Sequence, residues 1–404
     1  MSFTLKLGTA VRNITPPYPV PLAGFGHRQG VSEGVSHPLC VKAMVLQSQP
    51  VSGPAPLALI VSADIIWWGP ERMERLYEAF QERWGIKRSA VILNATHTHS
   101  GPQTSDRFAS EIGEADRAYV DGLEAALLDG IEEALRNLEP VAIERGSGEC
   151  RIGVNRRKLE NGHIVMAPNE DGPADSEVSV IRFRTEDGLE KAIIVHLACH
   201  PTTTDLNMIS SEFPGVAMEL LEAKLGSGCT AFFMQGCCGD VRPRLVREGR
   251  FYRGDGADVV RFGSELAEAA FRVLERPMRA LRPRPVSGRS AALDLPLEAG
   301  TESGTEPHTV PFQMNLVRIA EGLSLLAMNG EVVTEYGFYA KRLCTDVLPV
   351  AYSNGMIGYV PTAAQIAEGG YEADESHRYF RLPSRFSPSV EETVKNGIRA
   401  LIQG

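Results

Sequence analysis

The sequence predicts an α/β protein with a mixed β-sheet core flanked by helices, folded as a single large domain over residues 1–404. Short apolar runs suited to buried strands alternate with helix-like segments through the first two thirds of the chain. Beyond that point strands follow one another with less helix between them, so we expect the sheet to be mixed. Neither an internal repeat nor a long linker interrupts the sequence, which favours one domain.

Each element is predicted from its own local pattern. Short apolar runs bounded by turn residues predict strands, and apolar residues at helical spacing predict helices. The predicted strands cover residues 57–63, 90–93, 178–183, 192–197, 229–234, 287–295, 312–319 and 323–327. The predicted helices cover residues 71–83, 119–135, 216–224, 263–273 and 390–402.

Composition narrows the classes of function. The formal net charge of −10 argues against general affinity for nucleic acid or anionic membranes, because both bind to a basic face. No stretch approaches the ~18 apolar residues of a membrane span, and the first residues lack the basic and apolar regions of a secretory signal. Seven cysteines without a CxxC pair argue against a disulfide framework. We therefore expect a cytoplasmic protein that acts on small molecules, and homo-oligomer formation stays open.

A pair of histidines follows one of the predicted strands. The strand that begins at residue 90 runs into Thr96-His97-Thr98-His99-Ser100. Side chains at i and i+2 of an extended chain share a face, so His97 and His99 should converge at the strand's carboxyl edge. The strand over 192–197 ends similarly, in His200-Pro201. Because a catalytic zinc site uses about three protein ligands and an open position, these histidines predict a metal pocket.

Other interpretations compete with this metal pocket. Single histidines more often form hydrogen bonds in a core or loop, and His196, inside an apolar strand, is predicted to be structural. Residues 30–34 fit the GxSxG pattern of a serine nucleophile, but that motif needs a strand before it and a helix after it. An HxH pair also opens the two-metal site of amidohydrolase barrels, although there it normally belongs to the first strand.

These motifs together resemble the neutral/alkaline non-lysosomal ceramidase family, and they occur in the same order over most of the chain. The matching segments are residues 8–17, 94–102, 155–156, 200–202, 235–243, 329–334, 354–362 and 370–372. The segment over 96–102, Thr-His-Thr-His-Ser-Gly-Pro, and the His-Pro-Thr that begins at His200 are typical of the family. The resemblance implies a zinc hydrolase made of the family's catalytic domain, without its C-terminal immunoglobulin-like domain.

The resemblance also assigns roles to single residues. It implies that His97, His200, Glu331 and Tyr359 hold the zinc ion. It places His99, Arg156 and Tyr371 at positions that contact the scissile amide or the developing oxyanion. Independent support exists for Glu331 alone, since it follows an apolar run and Gly330 and precedes a helix-like segment.

One position departs from the family pattern. Ceramidases have serine in Gly-Asp-Val-Ser-Pro, as nucleophile or amide-positioning group, whereas this chain has Arg242 in Gly239-Asp240-Val241-Arg242-Pro243. Arginine stays protonated and only donates, so it cannot take that role. Arg242, with Arg244 and Arg156, could instead clamp a carboxylate or phosphate of the substrate. The alternative is that Arg242 pairs with Asp240 or faces solvent.

We therefore expect a ceramidase-like amidase: a zinc-dependent hydrolase of an amide, or of an ester or lactone, in a small or acylated substrate. Zinc lowers the pKa of bound water to about 7, which makes that water the expected nucleophile. Two alternatives stay open. One is a non-catalytic, metal-stabilised ligand-binding homologue, and the other is a ceramidase that acts on a lipid amide.

Overall fold

The computed structural model describes residues 4–49, 53–226, 228–298 and 308–404. The strands are β1 Leu5–Asn13, β2 Gly34–Val35, β3 Cys40–Ser48, β4 Leu57–Ala63, β5 Val91–Ala95, β6 Glu139–Glu149, β7 Gly153–Glu160, β8 His163–Asn169, β9 Glu177–Thr185, β10 Glu190–Leu197, β11 Met208–Ile209, β12 Thr230–Gln235, β13 Val241–Pro243, β14 Val246–Arg247, β15 Arg250–Phe251, β16 Arg279–Leu281, β17 Pro283–Pro296, β18 Thr309–Ala320, β19 Leu323–Met328, β20 Glu331–Val332, β21 Val347–Val350 and β22 Tyr359–Val360. The α-helices are α1 Met73–Trp84, α2 Arg117–Arg136, α3 Glu212–Leu225, α4 Gly256–Leu274, α5 Thr334–Leu343, α6 Ala363–Glu368 and α7 Val390–Gln403.

The predicted elements and fold class are confirmed. Each predicted strand or helix overlaps an observed one, and β4 has the predicted bounds. The largest deviation is α4, which begins at Gly256, seven residues before the prediction. The carboxylate of Asp255 caps the helix at this earlier start by accepting the backbone N–H groups of Ala257 and Asp258. That the chain forms one domain stays a prediction.

The larger sheet has the strand order β12-β10-β9-β6-β1-β3-β4-β5, with β16 beside β6. The pairs β4–β5 and β10–β12 are parallel, and the remaining pairs are antiparallel, so the sheet is mixed. The first strand of this order, β12, meets the last two, β4 and β5. The hydroxyl of Ser62 on β4 donates to the carbonyl oxygen of Phe233 on β12 at 2.7 Å, and the backbone N–H of Gln235 on β12 donates to Oδ1 of Asn94 on β5 at 2.9 Å.

Layers pack on both faces of this sheet. Helix α2 packs on β1 and β3, and α3 and α4 pack on β12, β6 and β9. The opposite face meets a second sheet of order β17-β18-β19-β21. Alternate side chains of β18 divide between two cores: Val317 faces the larger sheet, and Leu316 faces the core that contains α7. Among the described residues, no helix is long and apolar enough to cross a membrane.

Candidate metal centre

His97 and His200 lie in the loops that follow β5 and β10, and these two loops come together in the structure. Their ring centroids are 4.9 Å apart, and both side chains are fully buried. Nδ1 of His97 lies 2.7 Å from the carbonyl oxygen of Ile66, and Nδ1 of His200 lies 2.7 Å from that of Cys238. Because a carbonyl only accepts, each Nδ1 carries the proton, and each Nε2 keeps a lone pair for a metal ion.

The predicted convergence of the His97–His99 pair is observed, but the predicted reason is wrong. Strand β5 ends at Ala95, and His97 has a left-handed φ of 68°. Such a conformation is strained for a residue with a side chain, and it persists only where its surroundings fix it. Here the backbone N–H of His97 donates to the carbonyl oxygen of Ile65 at 3.0 Å. A tight turn, rather than an extended strand, therefore brings His97 and His99 together.

Glu331 and Tyr359 reach the histidines from the other side of the site. The short parallel strands β20 and β22 place these two residues directly opposite each other. Oε2 of Glu331 lies 3.0 Å from Nε2 of His200 and 3.3 Å from Nε2 of His97. The hydroxyl oxygen of Tyr359 lies 3.5 Å from the same nitrogen of His200. The four side chains that the family resemblance selected thus converge on one point.

Burial and mutual charge fix the protonation states of this cluster. Burial alone would raise the pKa of Glu331, but His97 and His200 outweigh it and hold that pKa well below its usual range. Burial, assisted by the positive charge of Arg156, lowers the pKa of His200 to about 4. At neutral pH the cluster therefore contains a carboxylate beside neutral imidazole, the forms that ligate a metal ion.

His99 lies beside this cluster in a different setting. Its Nε2 is 3.1 Å from Nε2 of His97, and its Nδ1 is buried without a hydrogen-bond partner in the described part of the chain. Gly24, with a φ of 93°, allows the approach, since a Cβ at that position would lie 2.2 Å from Nδ1 of His99. The ring of Phe25 lies 5.0 Å from the His99 ring and holds it in place. Unlike His97 and His200, this imidazole has no carbonyl that fixes its tautomer.

Arg156 connects the cluster to the turn that carries Tyr371. Its guanidinium donates to the hydroxyl of Tyr359 at 3.0 Å and to Oε1 of Glu372 at 2.7 Å. The second oxygen of Glu372 accepts a hydrogen bond from Arg157 at 2.8 Å. The guanidinium of Arg156 also faces the ring of Tyr371, 5.6 Å from its centroid. The structure therefore brings Arg156 and Tyr371 to the centre, as the resemblance implied.

Arg242 is buried, and both simple alternatives for it are wrong. Asp240 directs its carboxylate to Thr334 and Gln365 and does not pair with the arginine. Arg242 does not face solvent either, since 6% of its surface is exposed. Arg244, the expected second clamp residue, is half-exposed and forms a surface ion pair with Glu170. Arg242 and Arg244 are therefore in unlike surroundings.

Gln235 is a site residue that the sequence reasoning missed. It is fully buried at the end of β12. Its Nε2 donates to the carbonyl oxygens of Thr96, at 3.1 Å, and Cys199, at 2.9 Å. Those residues directly precede His97 and His200, so one side chain ties the two histidine-bearing loops together. A polar residue at the end of an apolar run gave no signal of this role.

The residues present fit a metal ion. One ring nitrogen from each of His97, His99 and His200 lies within 4.8 Å of the others, and this buried group could hold one. Glu331 adds an anionic oxygen at the same point. Imidazole nitrogen and carboxylate oxygen, with carbonyl groups orienting two of the rings, form a donor set typical of zinc. Fold and site define a mixed α/β protein with a buried, histidine-rich group that could hold a metal ion near the strand ends.

Comparison with known proteins identifies the family. Residues 5–253 match the family described as neutral/alkaline non-lysosomal ceramidase, N-terminal. The chain belongs to this family. A crystal structure of neutral ceramidase from Pseudomonas aeruginosa aligns with 99% of this chain and 74% of its own, with a TM-score of 0.80 and 19% identity. A structure described as ceramidase complexed with C2 aligns with 100% of this chain and 76% of its own, at a TM-score of 0.79 and 17% identity.

The curated relatives match over shorter stretches. Neutral ceramidase of Pseudomonas aeruginosa is 34% identical over 169 residues, which are 38% of this chain and 24% of the relative. Neutral ceramidase B of Dictyostelium discoideum is 24% identical over 258 residues, which are 59% of this chain and 35% of the relative. The matches thus span about a quarter and a third of the lengths of these two proteins.

Proposed function

We propose that this protein is a zinc-dependent hydrolase that cleaves an amide bond. The observation that carries the proposal is the convergence of buried His97, His200 and Glu331 on one point, with two ring tautomers fixed by carbonyl groups. Family membership supports the reaction class, because the relatives are named as ceramidases, enzymes that cleave a lipid amide. An ester or lactone substrate would use the same site.

His97, His200, Glu331 and Tyr359 would hold the ion. Zinc supplies a Lewis acid that polarises a carbonyl group and lowers the pKa of water to about 7. The carboxylate of Glu331, which is buried, would balance part of the positive charge of the ion. His99 differs from the ligands, because its Nδ1 has no described partner and its ring is held by apolar contact with Phe25.

The remaining residues serve the reaction. Hydrolysis adds water across the C–N bond, so a hydroxyl group goes to the acyl carbon and a proton goes to the leaving nitrogen. His99 is the group that takes and returns this proton, since its pKa is lowered by burial and it is neutral near pH 7. Arg156 and Tyr371 donate to the developing oxyanion, a role typically worth ~3 to 4 kcal/mol per donor.

Metal content and hydrolysis of the purified protein test the proposal. We expect about one zinc per chain, with loss of both metal and activity in His97→Gln and His200→Gln. His196→Gln is the matched control, because His196 is an equally buried histidine whose Nε2 bonds to the carbonyl of Pro349 at 2.8 Å, away from the ligands. That variant should keep its zinc.

The substrates are a panel of N-acyl amines, including ceramide, with esters and lactones of matched acyl length. Cleavage of an amide that a chelator abolishes and zinc restores supports the proposal. A zinc-containing protein that cleaves none of these compounds would instead favour a non-catalytic, metal-stabilised binding protein. A ratio near two metal ions per chain would contradict the single-ion site.

A further inference from the structure

We propose that Arg242 is a substrate-recognition residue that binds a carboxylate next to the scissile amide, so that the preferred substrates are N-acyl amino acids. The substrate preference rests on the proposed hydrolase function, whereas carboxylate binding by Arg242 does not require that the bound compound is hydrolysed. Four features of the described structure carry it, namely a buried charge without partners, the geometry of its free donors, its position beside the metal centre and the neighbouring charge.

The first feature is an unsatisfied charge. Arg242 is 6% exposed, and its Nε and Nη2 are buried without a hydrogen-bond partner in the described part of the chain. A buried arginine is normally paired, because an uncompensated charge in the interior costs several kcal/mol. The neighbouring Arg156, which is equally buried, follows that rule and pairs with Glu372. The two free nitrogens of Arg242 thus need an acceptor that this part of the protein does not supply.

The geometry of the free nitrogens selects the kind of acceptor. The N–H bonds of Nε and Nη2 lie on the same edge of the planar guanidinium and point in the same direction. Two parallel donors match the two oxygens of a carboxylate in a bidentate pair. One face of the group is covered by the ring of Phe251, whose centroid lies 4.5 Å from the central carbon. The edge that carries Nε and Nη2 has the two donors without a partner in the described part of the chain.

Arg242 is next to the metal centre. Strand β13 places it directly after Val241, whose carbonyl oxygen accepts from Nδ1 of His200 at 3.0 Å. On the paired strand β7, Val154 is opposite Arg242, two residues before Arg156. Arg253, two residues beyond Phe251, lies over the ring of Phe25, which packs on His99. Arg242 and its neighbours therefore adjoin the residues proposed as proton carrier and oxyanion donors.

The charge around Arg242 favours an anion. Burial lowers the pKa of Arg242 to about 10, the positive charges of Arg156 and Arg253 add to this effect, and the negative charge of Asp205 opposes it. The group therefore stays protonated at neutral pH, beside two other cations. A carboxylate one or two bonds beyond the amide nitrogen would relieve this repulsion and satisfy both nitrogens. A ceramide head group has only hydroxyls there and would leave the charge of Arg242 uncompensated.

The test compares N-hexanoyl amino acids with their primary amides, which have the same shape without the charge. With the zinc-containing protein we expect kcat/KM for the acids to exceed that for the amides by about 100-fold. Arg242→Gln should reduce this ratio to near one, and Arg242→Lys, which keeps charge but loses the bidentate edge, should give an intermediate ratio. Arg244→Gln, an arginine paired on the surface, should leave the ratio unchanged.

Calorimetric binding of the same pairs separates this inference from the proposed function. Preferential binding of the acids that disappears in Arg242→Gln supports the inference even when nothing is hydrolysed. Equal binding of acids and amides by the wild-type protein would overturn it, even when both are hydrolysed. A preference for the acids that survives in a folded Arg242→Gln would also overturn it, because the metal ion would then be the receptor. Thermal unfolding of each variant verifies that it is folded.

Discussion

At the scale of single residues, the structure separates His99 from the two histidines beside it. His97 and His200 have their tautomers fixed by carbonyl groups, whereas the ring of His99 occupies space that is free because Gly24 has no side chain. Nδ1 of His99 can therefore gain or lose a proton without breaking a hydrogen bond to the described residues. That property suits proton transfer better than permanent ligation.

Gly24→Ala tests this separation. The new methyl group would overlap Nδ1 of His99, and the left-handed backbone at position 24 would be strained. We expect kcat/KM to fall about 100-fold, the usual contribution of a general acid or base, while zinc content is kept. Gly26→Ala is the control, because its nearest neighbour atom would be 3.7 Å away. Joint loss of zinc and activity in Gly24→Ala would instead make His99 a ligand.

The site was predictable from sequence only in part. His97, His99 and His200 stand out because they follow apolar strands directly. Tyr359 and Arg156 carry no such signal, since Tyr359 is one of ten tyrosines and its partner Glu331 is 28 positions away on another short strand. Family resemblance supplied them, and the side-chain geometry agrees. The ligand roles themselves stay predictions.

At the scale of elements, the centre depends on how three strand ends are held together. β5, β10 and β12 were predicted from their apolar runs, and their bounds agree within two residues. Their arrangement was not predictable, because β5 and β12 are at opposite ends of the sheet order and meet through side chains. Buried polar groups such as Gln235 hold these strand ends together, an arrangement called the closure below. A pattern of apolar residues does not reveal it.

Gln235→Leu tests the closure. The substitution keeps the volume but leaves the carbonyl groups of Thr96 and Cys199 buried without their donor. Each unsatisfied group costs about 1–3 kcal/mol, so we expect the free energy of unfolding to fall by about 3 kcal/mol. Loss of zinc to a chelator should also become faster. Gln81→Leu, on the exposed face of α1, should change neither quantity. Unchanged unfolding in urea for Gln235→Leu would show that Gln235 does not hold the strand ends.

At the scale of the whole molecule, layers of helix and sheet enclose the centre, and they also bury the carboxyl group of Asp64. Asp64, at the end of β4, borders a cavity of about 140 Å³. Its Oδ2 accepts the backbone N–H of Cys40 at 2.9 Å. Burial raises the pKa of Asp64 to about 7, and the negative charge of Glu219 adds to this, while the hydrogen bond from Cys40 and the charge of Lys42 oppose it.

This raised pKa makes folding stability depend on pH. The folded protein holds the Asp64 proton up to about pH 7, whereas the unfolded chain loses it near pH 4, so stability falls as pH rises between these values. The full loss is about 4 kcal/mol.

In Asp64→Asn this loss is absent, so the variant should gain stability relative to wild type as pH rises from 4 to 8. Urea unfolding over that range measures the difference. Asp258→Asn is the control and should show no such change between pH 4 and 8, because the burial of Asp258 is outweighed by hydrogen bonds from Arg261 and Tyr252, which lower its pKa and confine its effect to below about pH 4. A difference between Asp64→Asn and wild type that stays constant with pH would mean that Asp64 is ionised throughout.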